Sequence, residues 1–197
     1  MGAESHAGAA DVPAGSVTTT VTILDQICQF FGGPYDPLTH SYHTPTVTGL
    51  TTVRRGWAKR EDYAEFFTGQ PLGTMTGCVL VAQIPDTRDH RATLPAIQGR
   101  RKVHYAIELH GFIWSKAGYA EDGQDFGYTL RDAMVAKIRT DPTLGTGGIE
   151  AGNFQVGEGS EDGGGEIATH LEQMVTEDEA SKGYMLISFE AHAYDVA

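Results

Sequence analysis

The stretch Arg101-Lys102-Val103-His104-Tyr105-Ala106-Ile107-Glu108-Leu109-His110-Gly111-Phe112-Ile113-Trp114-Ser115 decides the fold. Successive side chains of a strand point to opposite faces. Val103, Tyr105, Ile107, Leu109 and Ile113 therefore share one face, and Lys102, His104, Glu108 and His110 the other. Upstream, Gly77–Pro85 (GCVLVAQIP) is a near-continuous apolar run of strand length, as in a strand buried at the centre of a sheet. The polar stretch between them, Asp86–Gly99, carries Pro95 and Gly99. Two strands joined by one long polar loop predict a large antiparallel hairpin with a basic tip. The chain closes on Tyr184–Tyr194, where Met185, Ile187, Phe189, Ala191 and Ala193 again fall on one face.

Two segments carry the helical period instead. Val17, Val21, Leu24, Cys28 and Phe31 recur at helical spacing, widened by Ile27 and Phe30, with Ser16 as N-cap and Gly32-Gly33-Pro34 as a stop. The β-branched run Val17–Ile23 works against that helix. Gly123–Thr140 is the second, with Phe126, Leu130, Met134 and Ile138 four apart, Ala133 alongside, and Asp141-Pro142 ending it.

Around these, Met1–Gly15 reads as a disordered tail and Tyr35–Pro45 as an extended connection. Thr46–Arg54 reads as a short strand and Glu61–Thr68 as a short helix. Gly145–Gly165 reads as a glycine-rich acidic loop, interrupted by a strand at Asn153–Gly157 with which Glu166–Thr176 pairs. The fold class that follows is α+β: a single domain over residues 16–197, with a mixed or antiparallel sheet. Two amphipathic helices pack on one face, and long hairpin and loop extensions project from it.

Charge divides the chain. Residues 1–116 hold 10 acidic and 10 basic side chains, whereas residues 117–197 hold 16 and 4, so the second part carries the whole net charge of −12. The basic residues of the first part cluster at Arg54, Arg55, Lys59 and Arg60 and again at Arg88, Arg91, Arg100, Arg101 and Lys102. A chain basic at one end and acidic at the other is suited to meet a copy of itself head to tail, a contact that closes into rings or runs on as filaments. Those nine residues are the candidate subunit or partner interface. Plain solubility is the alternative reading of the charge.

Several chemistries find little support. Gly157-Glu158-Gly159-Ser160 and Gly163-Gly164-Gly165 lack the lysine of a phosphate loop, and the carboxylates around them would repel phosphate. No G-x-S-x-G elbow occurs. Cys28 and Cys78 lie too far apart and are too few for a disulfide framework or a zinc site, so two buried reduced thiols are expected. Asp86–Lys102 is basic but interleaved with Asp86 and Asp89 and has no aromatic partner for base stacking. One metal-site arrangement stays open: His104, Glu108 and His110 share a strand face, as do Glu190 and His192, and adjacency of the two strands would bring histidines and carboxylates together. No apolar run reaches the ~20 residues that span a bilayer, and Met1–Ser16 has neither a basic nor an apolar signal region. A cytosol-like compartment is expected.

The run Gly49-Leu50-Thr51-Thr52-Val53-Arg54-Arg55-Gly56-Trp57-Ala58-Lys59-Arg60, followed by Asp62-Tyr63-Ala64-Glu65-Phe66-Phe67, resembles tail terminator proteins of long-tailed (siphovirus-type) phages of actinobacteria. So does Gly73-Thr74-Met75-Thr76-Gly77 leading into Val79–Pro85. The likeness continues through Val103-His104-Tyr105, Tyr128–Arg139, Ile138–Gly145 and Phe189-Glu190-Ala191. The resemblance implies a structural virion protein without active site or cofactor. Such a subunit forms a homohexameric ring on the finished tail tube, ends tube growth, and meets the major tail tube protein and the head-completion or stopper protein. DNA passes through the ring without sequence-specific binding. Glu158, Glu161, Asp162 and Glu166 are the candidate lumen-facing carboxylates, because a weakly repulsive wall lets DNA slide. The alternatives are a head-side stopper or neck connector and a small metal-dependent enzyme.

Overall fold

A computed structural model describes residues 19–38, 40–56, 76–92, 100–116, 119–145, 154–157, 166–172, 175–177 and 180–196. The expected tail Met1–Gly15, the N-cap at Ser16, the helix Glu61–Thr68 and most of the loop Gly145–Gly165 lie outside the described residues.

In chain order the elements are helix α1 (Thr20–Gly32), strands β1 (Tyr35–Asp36), β2 (Ser41–Tyr42), β3 (Leu50–Arg55), β4 (Thr76–Ala92) and β5 (Arg100–Ser115), helix α2 (Ala120–Thr140), then β6 (Gln155–Val156), β7 (Ile167–Leu171), β8 (Val175–Glu177) and β9 (Ala180–Val196). The nine strands form one open sheet in the order β1-β2-β3-β4-β5-β9-β6, with β7 and β8 also on β9. Every pairing is antiparallel except β3 with β4. The expected α+β class holds.

The β4–β5 hairpin is longer than the sequence suggested. Gly77–Pro85 was expected as the strand and Asp86–Gly99 as the polar loop, yet β4 runs on to Ala92. The register explains how. Gln83 faces Glu108 but Asp86 faces Ala106, so Ile84 and Pro85 together oppose the single residue Ile107. This is a bulge, the place in a sheet where a residue without an N–H is tolerated. The extra residue also reverses which residues face which side. Before the bulge, Cys78, Leu80 and Ala82 face the helices; after it, Arg88 takes the opposite side, in register with His104.

Helix α1 starts later than expected. Thr19 is its N-cap, its Oγ1 accepting a hydrogen bond from the Thr22 N–H at 3.2 Å. The buried stripe is Ile23, Ile27, Cys28 and Phe31, while Val21 is 57% exposed and Leu24 only partly buried. Val21, Ile23, Leu24, Ile27, Cys28, Phe30 and Phe31 offer more than one apolar stripe, and packing chose the face one position round. Gly33, at φ 73°, donates its N–H to the Gln29 carbonyl and ends the helix. Thr46 does not begin a strand. It serves the helix end instead, its hydroxyl donating to the Phe30 carbonyl at 2.7 Å and its N–H to that of Phe31 at 2.9 Å. The expected extended connection contains the short antiparallel pair β1–β2.

Helix α2 buries Leu130, Met134 and Ile138, worth about 1.5–3 kcal/mol each in transfer from water. Phe126 is partly buried, and Ala133, expected beside the stripe, is exposed. Glu121 and Asp122 in the first turn and Lys137 and Arg139 in the last complement the helix dipole. Both helices join one core with Val103, Tyr105, Ile107, Leu109 and Ile113 of β5 and Met185, Ile187, Phe189, Ala191 and Ala193 of β9. The opposite sheet face has a smaller cluster of Val79, Val81, Phe112 and Trp114, with Tyr184 against it.

Among the described residues, the pairing expected between Asn153–Gly157 and Glu166–Thr176 does not form. Each of β6, β7 and β8 pairs with β9 instead, at Ala191–His192, at Met185–Phe189 and at Ala180–Lys182 respectively. A 17-residue edge has room for three short strands end to end, and pairing them there covers its open hydrogen-bonding groups.

Candidate functional site

The structure separates the basic residues that charge counting had grouped. Arg54 and Arg55 end β3, in register with Val81 and Ala82 of β4. They are consecutive on a strand, so they leave it on opposite faces. Arg55 reaches toward α1, where its Nη1 lies 2.7 Å from Asp25 Oδ1. The same oxygen accepts the Tyr42 hydroxyl at 2.9 Å, tying α1, β2 and β3 together. Burial first, and then that hydrogen bond, push the Tyr42 hydroxyl pKa above its ordinary value. Arg55 is thus spoken for within its own chain, and Arg54 is half-buried. Lys59 and Arg60 lie outside the described residues.

The second cluster stands farther along β4 and β5. Arg88 is six residues beyond Ala82, about 20 Å along an extended strand. Arg91 faces Arg101 and Ala92 faces Arg100, so Arg91, Arg100, Arg101 and Lys102 gather where β4 and β5 approach their turn. On the other side of β5, Arg101 faces Asp195 of β9. Arg88 pairs with Asp86 at 3.1 Å, both largely exposed, and such a pair contributes about 1 kcal/mol or less. Register thus places the second cluster near the β4–β5 turn, where β9 contributes Asp195, and Arg54 and Arg55 lie well back from it along the sheet.

The histidine-bearing strands are neighbours, as a metal site would require. Their ligands are nevertheless spread along the sheet. His104 faces His192 across β5 and β9, with ring centroids 6.3 Å apart. The Gly157 carbonyl can only accept, so His192 Nδ1, at 2.7 Å, is the protonated nitrogen of that ring. His110 lies six residues from His104, and its neighbours are different. Its Nε2 stands 3.2 Å from Glu108 Oε2 and its Nδ1 2.5 Å from the Tyr184 hydroxyl. The carboxylate favours a proton on Nε2, leaving Nδ1 to accept from Tyr184. Burial lowers the His110 pKa below its ordinary value, and Glu108 opposes part of that shift. Tyr184 is raised, again chiefly by burial and then by Glu108 and Glu172. This trio fixes β5 to β9 on the face opposite the helices. Glu190 is exposed and in register with Ala106. Among the described residues no three histidine, cysteine or carboxylate side chains come together as metal ligands.

Both thiols are buried and unpaired with each other, as expected. Burial pushes Cys28 up to about 12 and raises Cys78 as well, so neither is a nucleophile near neutral pH. Of the candidate lumen residues, Glu158, Glu161 and Asp162 lie outside the described residues, and Glu166 is exposed just before β7. No helix is long and apolar enough to cross a membrane among the described residues.

Sequence reading missed two features. The Asp25–Tyr42–Arg55 network joins residues 30 positions apart, and only the strand order brings them together. A groove of about 390 Å³ opens between α2 and β7, lined by Arg131, Asp132, Val135, Ala136, Arg139, Ile167 and Thr169. The arginine spacing on the helix was the available signal for it. No family profile matches the chain, and no curated protein sequence matches it.

Proposed function

We propose that this protein is a tail terminator of a long-tailed phage, a non-enzymatic subunit that forms a ring, hexameric by resemblance, on the finished tail tube. In this role it stops tube polymerisation and offers the head-completion or stopper protein a surface, while DNA passes through the ring. The observation that carries the reading is the resemblance over Gly49–Pro85. The two ends of that segment form β3 and β4, adjacent parallel strands within the sheet. Strands β4 and β5 carry Arg88, Arg91, Arg100, Arg101 and Lys102 toward the turn between them, and residues 141–197 hold twelve acidic side chains against one basic one. A basic end and an acidic body suit repeated head-to-tail contact. The protein acts in the virion at the head–tail junction after assembly in the host cytoplasm. The test is a phage lacking this chain, whose tubes should be abnormal in length and unattached. A head-side stopper predicts tubes of normal length and heads that lose DNA.

A further inference from the structure

We infer that the groove between α2 and β7 receives an extended acidic segment of a second copy of the chain, and that residues 158–166 are that segment. This rests on the ring reading for the presence of a neighbour, though not for the chemistry of the groove.

At one end α2 lies close on β7, where a Cβ on Gly127 would stand 3.2 Å from Leu171 Cδ2. The groove opens along the C-terminal half of α2, where Val135 and Ile167, both packed against the main core, give it an apolar floor and Asp132 shares the lining with the two arginines. Arg131 and Arg139 flank Val135 on the same helix face, at i, i+4 and i+8. Arg131 is positioned by its neighbours, its Nη2 2.7 Å from Asp132 Oδ1 and its guanidinium 5.1 Å from the centre of the Tyr128 ring. Arg139 makes no ion pair among the described residues. Two arginines beside an apolar floor stand out in a half of the chain with 16 acidic and 4 basic side chains.

Their spacing suits an extended partner. Eight helical residues advance about 12 Å, so the two arginines leave the helix about two turns apart. An extended chain advances about 3.3 Å per residue, so carboxylates three or four positions apart fit both at once. Glu158 and Glu161 are three apart; Glu158 and Asp162, and Asp162 and Glu166, are four apart. Between them stand Gly159, Ser160 and Gly163–Gly165, which add little bulk to hold the backbone off the groove. Among the described residues β7 pairs only with β9, so its other edge offers main-chain donors and acceptors to an extended guest. Docked there, these carboxylates would sit between subunits rather than on the wall of the opening.

The same segment precedes β7 in its own chain, so the test must separate a neighbour's segment from the chain's own. One variant carries Arg131→Glu and Arg139→Glu, a second carries Glu158→Lys and Asp162→Lys, and a third carries all four changes. Self-association is measured by sedimentation of concentrated protein in low salt, where screening is weakest. The inference expects reversible association of the wild type, at least tenfold weaker association of each two-site variant, and recovery in the four-site variant. It also expects recovery when the two two-site variants are mixed, because each then supplies the partner charge the other needs. Recovery in the four-site variant without recovery on mixing would place the segment in its own chain and overturn the inference. So would a wild type that stays monomeric, or variants that associate like it. None of these results bears on tail length, by which the ring reading stands or falls separately.

Discussion

A Cβ on Gly77 would collide with Cζ2 of Trp114, so the indole occupies the space that any side chain at 77 would need. The two residues face each other across β4 and β5, and Trp114 is 1% exposed. The Thr51 methyl is also close, its Cγ2 2.7 Å from the same Cβ. A side chain at 77 would meet both Trp114 and Thr51. Gly77→Ala should therefore cost about 1–3 kcal/mol through overpacking. Urea denaturation of the single variant and of its combination with Trp114→Leu checks this: the second change should recover part of the loss. A Gly77→Ala protein as stable as wild type would mean that Trp114 is not seated over Gly77.

The two helices make contrasting predictions about their own faces. Met134 is fully buried beneath α2, so Met134→Ala should cost about 2–5 kcal/mol through the cavity it leaves. Val21 on α1 is 57% exposed, and Val21→Ala should change stability by no more than about 0.5 kcal/mol. Thermal unfolding of the pair distinguishes this packing from the stripe expected at Val17, Val21 and Leu24, in which Val21 would be the costlier change.

How much of this was legible in the sequence follows from what sets each feature. The faces of β5 and β9 were readable residue by residue, because an alternating pattern with one buried face has a single solution. Helix α1 was legible as an element but not as a face, since Val21, Ile23, Leu24 and Ile27 offer several equivalent stripes. The polar residues after Pro85 read as a loop and proved to continue β4 beyond a bulge, which depends on the partner strand. The basic residues read as one surface because sequence proximity hides direction: Arg54 and Arg55 are adjacent in the chain and on opposite faces of the sheet. The pairing of β6, β7 and β8 with β9 was beyond reach because short strands carry too little pattern to choose a partner. The groove between α2 and β7 depends on that same choice.

Stability should fall on mild acidification because of His110. Its pKa is lowered from 6.5 in the folded protein, so below that value the unfolded chain binds a proton that the folded chain does not. Stability from this residue is present above pH 6.5 and is lost as pH falls toward the lowered folded value. His110→Gln, which keeps a hydrogen-bonding side chain beside Tyr184, should flatten that part of the curve of stability against pH. A second loss should appear at lower pH from Asp141, whose pKa is held down by hydrogen bonds from the Thr143 hydroxyl, the Thr143 N–H and the Gly145 N–H. Its contribution is present above the ordinary carboxylate value of 3.8 and disappears as pH falls through the lowered one. A His110→Gln variant with an unchanged slope just below pH 6.5 would remove His110 from the account.

Arg100 and Arg101 begin β5, before Val103, the first residue of that strand in the main core. Reversing both to glutamate should leave thermal unfolding within a few degrees of wild type and block incorporation into tails, which complementation of a phage lacking the gene product measures. Because such contacts are screened over about 8–10 Å at physiological salt, any isolated assembly should also weaken as salt rises. Normal tails joined to heads in the reversed variant would sink the head-to-tail charge account.

The length of tail tubes in a phage that lacks this protein tests the central claim most directly. Electron micrographs of the lysate should show tubes of abnormal and variable length, many overlong, lying free beside heads filled with DNA. Supplying the protein in trans should restore a single length and joined particles. Tubes of uniform normal length beside emptied heads would contradict the account and assign the chain to the head side of the junction.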